Sequence, residues 1–264
     1  MKLRLLSALI LALGTGHFAH AEGAPTTPVA PTLPLPGLVV HWSFDDTAQG
    51  YSYDLVQRLP LRLLATPRVR GIVGNAIQTD GEFTYADIPD SAIKGPFPAR
   101  STGGAEDFSC SCWVRLSRMQ QRHPILVKQG NLKRGFMLAV EPNDRLSLQL
   151  SATIDHKTDL TGKTPLKLAT WHHIAVSYDF LAEHRARVVL YLDGKVEAVS
   201  ELAAGPVMGN NIAFEVGRIQ WSQTYRKYLF GRVDELQFYS RALSSAEVAL
   251  LATPPTDPPP ANTP

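Results

Sequence analysis

Three close pairs in this 264-residue chain carry side chains whose types could do chemistry together: Asp234-Glu235, His172-His173 and Cys110/Cys112. Each pair fails on spacing if it lies on an extended strand. Consecutive strand residues face opposite ways, so Asp234 and Glu235 cannot share a proton and the two imidazoles cannot chelate one ion. One histidine ring is expected to pack inward with a backbone partner and the other to be solvated, and His41 and His123 have no spaced companion. Cys110 and Cys112 would point the same way about 7 Å apart, beyond comfortable bridging range. They read as two small thiols facing a core. A strained redox pair or a metal site is the alternative, although no further cysteine completes a zinc set. Glu215 stands alone in AFEVGR. A nucleophile elbow, an HExxH helix and a phosphate-cradling glycine loop are all missing. The sequence therefore offers no catalytic residues, unless carboxylates from distant strands converge.

Aromatic residues give a better basis for recognition. The stretch IQWSQTYRKY gathers Trp221, Tyr225, Arg226 and Tyr228 just before the last long apolar alternation. Exposed rings beside an arginine make a recognition rim, since they offer contact area at low entropic cost. The alternative is that the loop folds back and its rings cover the protein's own edge. Trp113 lies on the side of its strand opposite Cys110 and Cys112. It either stacks against a flat ligand such as a sugar ring or packs structurally, as Trp171 does.

The elements that must position these residues are strands. Phe108, Cys110, Cys112 and Val114 alternate with Ser109, Ser111, Trp113 and Arg115, a period-two pattern that places alternate side chains on opposite faces. GLVVHWSF (37–44), GFMLAV (135–140), RLSLQLS (145–151), WHHIAVSY (171–178), RVVLYL (187–192) and the segments 213–218 and 232–239 read the same way. Pro142-Asn143-Asp144 makes one turn. Asp193-Gly194 makes a two-residue hairpin turn, because both of its central positions tolerate positive φ. Helix appears once: Ser244-Ser245-Ala246-Glu247 fits a capping box opening a short helix that ends before Pro254 and packs as a lid on the sandwich edge. The pattern predicts an all-β fold, an antiparallel sandwich or barrel.

At the amino end, Lys2 and Arg4 precede an apolar run, Leu5–Leu13, and then Ala19-His20-Ala21. This is the form of a secretory signal peptide cleaved after residue 21, and its run is too short for a membrane span. Residues 22–36 form a Pro/Thr-rich linker, residues 37–252 one domain, and residues 253–264 a Pro-rich tail. The chain has 26 Lys+Arg against 24 Asp+Glu, and removing the leader takes Lys2 and Arg4 with it. The mature chain is then balanced, with no electrostatic reason to bind nucleic acid or an anionic membrane.

Four stretches, in order, resemble the laminin-G-like jelly roll of the concanavalin A-like superfamily. They are HWSFDD; GIVGNAIQTDGEFTYADIPDS; DFSCSCWVRL followed by WHHIAVSYD and VVLYLDGK; and FGRVDELQFYSRALSSAEVALL. The resemblance implies an antiparallel two-sheet jelly-roll β-sandwich with one short C-terminal helix. It implies an exported recognition or display module that binds carbohydrate or an extracellular protein. A structural calcium held by Asp45 or Asp46 and Asp234 is also implied, the alternative being that Asp234 only organises a turn through nearby amides. The rivals are a glycan-degrading hydrolase or lyase and a purely structural adhesion domain. Hydrolases of this superfamily carry Glu-x-Asp-x-x-Glu or a close variant on one strand, which this chain lacks. Two departures stand out. An eight-residue insert, FLAEHRAR, follows Asp179 where the family has a short turn, and residues 51–70 are basic and leucine-rich, which puts a first-loop metal in doubt.

Overall fold

Alternation along β7 (Phe108–Leu116) sends Phe108, Cys110, Cys112, Val114 and Leu116 into one apolar interior, as the sequence predicts. The computed structural model describes residues 34–101, 107–130, 134–151, 157–181, 185–203, 207–222 and 224–254. The leader, most of the Pro/Thr-rich linker and nearly all of the Pro-rich tail lie outside these described residues.

The first strands in the chain are β1 (Leu38–Trp42), β2 (Tyr51–Tyr53), β3 (Pro60–Leu64), β4 (Arg68–Arg70), β5 (Asn75–Asp80) and β6 (Tyr85–Ile88). After β7 come β8 (His123–Gln129), β9 (Gly135–Val140), β10 (Arg145–Ser151), β11 (Lys157–Pro165), β12 (Trp171–Leu181), β13 (Arg185–Leu192) and β14 (Lys195–Ala203). The series ends with β15 (Phe214–Val216), β16 (Arg218–Gln220), β17 (Arg226–Tyr228) and β18 (Phe230–Tyr239), followed by helix α1 (Ser245–Leu251). One sheet runs β14-β13-β12-β7-β18-β5-β4, with β1 also paired to β18. The second runs β11-β10-β9-β8-β15-β6-β3-β2, and β16–β17 form a separate hairpin. We call the first sheet A and the second sheet B. Every pairing within the two is antiparallel, so the structure is the two-sheet jelly-roll sandwich with one short helix that the resemblance implied.

Aromatic rings from both sheets lock the interior. Phe238 of β18 lies 4.4 Å from Phe97 and 5.3 Å, edge-on, from Phe214 of β15. Phe136 of β9 stands 6.4 Å from Phe238 and 5.7 Å from Phe108. Such tilted and edge-to-face pairs add to the area they bury.

Sheet A is buried on its outer face too. Val248 of α1 packs with Leu35, Ala175, Val189, Tyr191, Tyr239 and Leu243. Ser244 and Glu247 form the capping box, with the Ser244 hydroxyl accepting from the Glu247 amide at 3.3 Å and the Glu247 carboxylate accepting the Ser244 amide at 2.9 Å. The helix thus sits at the edge strand β14, as expected, and also covers part of the outer face of sheet A, where the apolar side chains of β12 and β13 need a partner. Packing also begins ahead of Gly37: Leu35 is buried and the Pro36 carbonyl accepts Arg241 Nε at 2.7 Å.

One local reading changes and another holds. Most of FLAEHRAR is strand, with Phe180 paired to Ala186 and Leu181 to Arg185, so β12 and β13 extend their hairpin instead of ending in a long loop; residues 182–184 lie outside the described residues. Asp193 and Gly194 do take φ of 51° and 74°, as their hairpin requires.

Both cysteines are free and buried in the core, and burial pushes the Cys110 thiol up to about 12. A buried thiol with so little thiolate is a poor nucleophile. Neither cysteine should react with iodoacetamide in the native protein, and both should react once it is unfolded in guanidinium. Native labelling read by intact mass would contradict this placement.

Candidate functional site

The outer face of sheet B carries a continuous polar and aromatic surface. β3 and β6 alternate so that Leu61, Leu63, Ala86 and Ile88 face the core while Arg62, Tyr85 and Asp87 face outward. β15 does the same, with Phe214 and Val216 inward and Glu215 outward. Cross-strand register then sets Tyr51, Arg62, Asp87 and Glu215 side by side on four neighbouring strands. Directly opposed residues hold their Cβ atoms roughly 4.5–5.5 Å apart. Glu215 is therefore not alone: Asp87, far from it in sequence, is its neighbour.

Arginines neutralise both carboxylates. Arg62 clasps Asp87 with Nε at 2.9 Å and Nη2 at 2.8 Å. Arg218, whose guanidinium lies 3.5 Å from the centroid of the Tyr85 ring, bonds Glu215 through Nε at 3.1 Å and through Nη2. Burial lifts the Glu215 carboxyl above its ordinary range; Arg218 opposes this and Asp87 adds to it. Rings surround the two pairs: Tyr51 and Tyr53 lie 6.4 Å apart, Tyr85 and Tyr228 6.3 Å, and Arg58 stands over Tyr53 at 5.1 Å.

The β16–β17 hairpin borders this face. Trp221 and Tyr225 stack at 4.6 Å with 14° between planes, and both pack on Val127, Met137, Ala139 and Ile219. Their rings cover the outer side of β8 and β9, which is the folded-back arrangement. Tyr225 also accepts a long bond from Arg122 at 3.5 Å. Tyr228 is half-buried against Tyr85, and Arg226 is exposed. Of the residues singled out in the sequence, the structure therefore brings Tyr228 into this face and sets Trp221 and Tyr225 beside it. Trp113 lies on the other sheet, 7% exposed, its ring 5.3 Å from that of His173 and set at 66° to it.

The calcium residues are occupied by protein donors. Asp46 accepts Ser52 Oγ at 2.6 Å, the amides of Ala48 and Tyr53, and Arg68 Nη2 at 2.7 Å. Asp45 accepts the Asn75 amide at 2.6 Å. Asp234 accepts the amides of Ile72, Val73 and Glu235 at 2.8, 3.1 and 2.8 Å. Asp45 and Asp234 so hold the two ends of the 71–75 turn, and a Cβ at Gly71 would collide with the Asp234 carboxylate. Calcium takes six to eight oxygens. A carboxylate paired to Arg68 and another saturated by three amides do not fit it, and no group of three or more His, Cys, Asp or Glu that could hold a metal occurs among the described residues.

Asp234 and Glu235 also depart from the sequence expectation. A bulge between Asp234 and Gln237 places Glu235 at φ 51° and turns it to the same outer face of sheet A as Asp234, as bulges re-aim side chains. Both histidines beside Trp171 are buried. His172 Nδ1 bonds Asp193 at 2.8 Å and its Nε2 accepts the Lys167 amide at 3.0 Å, while His173 faces outward under cover. Neither ring is solvated, because Asp193 and the neighbouring loop cover one and the C-terminal segment the other.

With this geometry in place, the chain can be compared with known proteins. A family model described as Concanavalin A-like lectin/glucanases superfamily matches residues 80–249, more than half of the chain. The chain belongs to that superfamily. No curated protein matches it. Among solved structures, the binding domain of Paraclostridial Mosquitocidal Protein 1 is similar with a TM-score of 0.63 at 16% identity, covering 82% of this superfamily member and 52% of that chain. Domain 4 of AbnA, a GH43 extracellular arabinanase from Geobacillus stearothermophilus in complex with arabinotriose, gives 0.58 at 18% identity and covers 82% and 98%. Trypanosoma rangeli sialidase in complex with sialic acid gives 0.59 at 18%, covering 86% and 35%. The domain thus spans about half of the toxin chain, a third of the sialidase and nearly all of the arabinanase domain. At these identities the likeness is one of fold. No described helix is long and apolar enough to cross a membrane.

Asp234 supplies a pH test. Its burial pushes the carboxyl up to about 8, against the pull of its amide donors. A folded-state value above the unfolded one means the folded protein holds an extra proton between about pH 4 and pH 8. The stability gained from that proton is full at the acid end and is lost as pH rises through the window. The unfolding free energy of the wild type relative to Asp234→Asn should therefore fall from pH 4 to pH 8 in urea melts. A difference that stays flat or rises would place the carboxylate in its charged form throughout.

Proposed function

We propose that the protein is an exported carbohydrate-recognition domain that binds glycan on the outer face of sheet B. The observation that carries this is the surface formed by Tyr51, Tyr53, Tyr85 and Tyr228 around the Arg62–Asp87 and Arg218–Glu215 pairs. A sugar presents an apolar ring face and a rim of hydroxyls. Tyrosine rings pack against the first, and fixed carboxylates and guanidinium forks exchange hydrogen bonds with the second. Because the charged groups already pair with one another, the surface suits a neutral, polyhydroxylated ligand better than an ion. The arabinanase domain bound to arabinotriose supports a glycan on this fold. The receptor-binding domain of Botulinum Neurotoxin Type G, similar at a TM-score of 0.59 and 13% identity, keeps a receptor as the neighbouring option. Export rests on the signal-like amino end.

One observation favours a hydrolase as second reading: Asp87 and Glu215 are adjacent, and Glu215 is raised toward the range of a general acid. A retaining pair needs carboxyl groups about 5–5.5 Å apart. Their arginine partners oppose this role, since a general acid must hold a transferable proton and an ion pair removes it.

Tyr51 is 42% exposed, so Tyr51→Ala should weaken glycan binding by roughly tenfold, the size of an anchor truncation, with the melting temperature within a few degrees of wild type. Trp221→Ala, by contrast, uncovers Val127 and Met137 and should lower stability by about 1–3 kcal/mol. A glycan array followed by calorimetry on the best ligand measures both. If no glycan binds, or if Tyr51→Ala binds like wild type, the recognition reading fails. Release of reducing sugar that Glu215→Gln abolishes would install the hydrolase in its place.

A further inference from the structure

Lys128 carries an amine that the outer faces of the sandwich do not use. The residue is fully buried on β8. Alternation turns it the same way as Leu126, toward the interior, and register sets it opposite Phe136 of the core. Two residues from distant parts of the chain meet its amine. Asp90, 8% exposed, opens the turn after β6 and brings Oδ1 to 2.9 Å from Nζ. Asn210 lies in the segment that leads into β15, with its Oδ1 3.1 Å from Nζ. The strands β6, β15 and β8 are neighbours in sheet B, which is what gathers the three side chains.

The Asn210 carboxamide is held from both sides. Its Nδ2 donates to the Lys128 carbonyl at 3.1 Å and to the Arg134 carbonyl at 2.9 Å, and its Oδ1 also accepts the Ile212 amide at 2.9 Å. Gly135, at φ 99°, makes room for it, since a Cβ there would stand 2.6 Å from Nδ2. The carbonyl carbon Cγ lies one bond beyond Oδ1. A small rotation of the lysine chain therefore brings Nζ to the roughly 3–3.5 Å of an attack geometry.

An ion pair alone leaves this cluster poorly satisfied. Nζ faces four oxygens: the Asn210 carbonyl at 3.0 Å, the Asn210 carboxamide, the Ile212 carbonyl and the Asp90 carboxylate. An ammonium has only three donors, and Asp90 Oδ1 is the oxygen left without a well-aligned hydrogen bond. Burial pulls the Lys128 amine below the ordinary lysine range; Asp90 opposes this and Arg100 adds to it. Desolvation of this kind is what makes a lysine nucleophilic.

We infer that Lys128 and Asn210 join in an intramolecular isopeptide bond, with Asp90 carrying the protons. Asp90 takes one proton from the ammonium, which frees the Nζ lone pair to attack Cγ. The Nζ–Cγ bond forms and the Cγ–Nδ2 bond breaks. A second proton passes from Nζ to Nδ2 by way of Asp90, and Nδ2 leaves as ammonia. The third proton stays on the new amide nitrogen. One ammonium, one carboxamide and one carboxylate thus become one secondary amide, one ammonia and one carboxylic acid. Both buried charges disappear, and no oxidant or cofactor is consumed. Ammonia has an exit, because Asn210 also lines a surface cavity of about 380 Å³ with Ser101, Arg134 and Ile212. The bond ties together residues 82 apart in sequence, and cross-links that close long loops restrict the unfolded chain most.

The test maps covalent bonds in the purified full chain by tryptic digestion and tandem mass spectrometry. The wild type should yield one branched peptide in which Lys128 is joined to Asn210, lighter by one ammonia than its two arms together. Trypsin should leave the chain uncut after Lys128. In freshly synthesised chains, Asp90→Ala should form the branched peptide roughly 100-fold more slowly, the size of a lost acid–base group. The wild-type map decides the bond by itself, so the outcome does not hang on the variant folding. Recovery of Lys128 and Asn210 on two separate, unmodified peptides from the folded wild type would overturn the assignment. Equally fast bond formation in Asp90→Ala would overturn the role given to Asp90.

Discussion

The pairing of β18 is the constraint on which the rest of the molecule rests. This one strand hydrogen-bonds to β7 on one side and to β5 and β1 on the other, so it joins the two ends of the described chain to its middle. Its inward residues, Val233, Leu236 and Phe238, lie in the core, and Phe238 meets Phe97 and the sheet B rings Phe136 and Phe214. Its outward residues, Asp234, Glu235 and Gln237, tie the 71–75 turn, His41 and Tyr239 into one polar network. A strand this heavily shared cannot slip by one residue, since a slip would exchange its core face for its polar face.

Sheets A and B solve the same problem differently. Each has an outer face more apolar than water tolerates, and each recruits a short element to cover part of it. Helix α1 does so for β12 and β13, and the β16–β17 hairpin does so for β8 and β9. What each cover leaves open is a candidate site. On sheet B the open portion is the tyrosine and ion-pair surface of β2, β3, β6 and β15. On sheet A it is the gap between Trp113, His173 and the end of the helix.

Much of the fold was legible because alternation is a local signal. β7, β12 and the Asp193-Gly194 hairpin could be read directly, and the capping box at Ser244 needed only four residues. The strands that escaped notice have interrupted patterns. β8 carries Pro124 and the fully buried Lys128, which survives in the interior because Asp90 lies 2.9 Å from its amine and the Asn210 carbonyl 3.0 Å away. Nothing beside Lys128 in sequence announces those partners. The candidate sites were harder for the same reason. Asp87 and Glu215 meet only through sheet order, which their own neighbours in sequence do not encode. Glu235 faces outward because a non-glycine residue adopts positive φ in a bulge, a conformation its residue type argues against. In the aromatic loop, Trp221 and Tyr225 stack on each other and pack on β8 and β9, contacts that the loop's own sequence does not encode.

The order of the strands along the chain also has a kinetic meaning. The strand that closes sheet A is the last strand of the described chain, and its partners β1, β5 and β7 were all made well before it. Sheets built from such distant pairings fold slowly, because the entropy of closing long loops is lost before any contact repays it. Sheet A therefore cannot close before its final strand is available. Until β18 arrives, the edges of β7 and β5 that it fills stay unpaired, so its arrival joins the two halves of sheet A in one step.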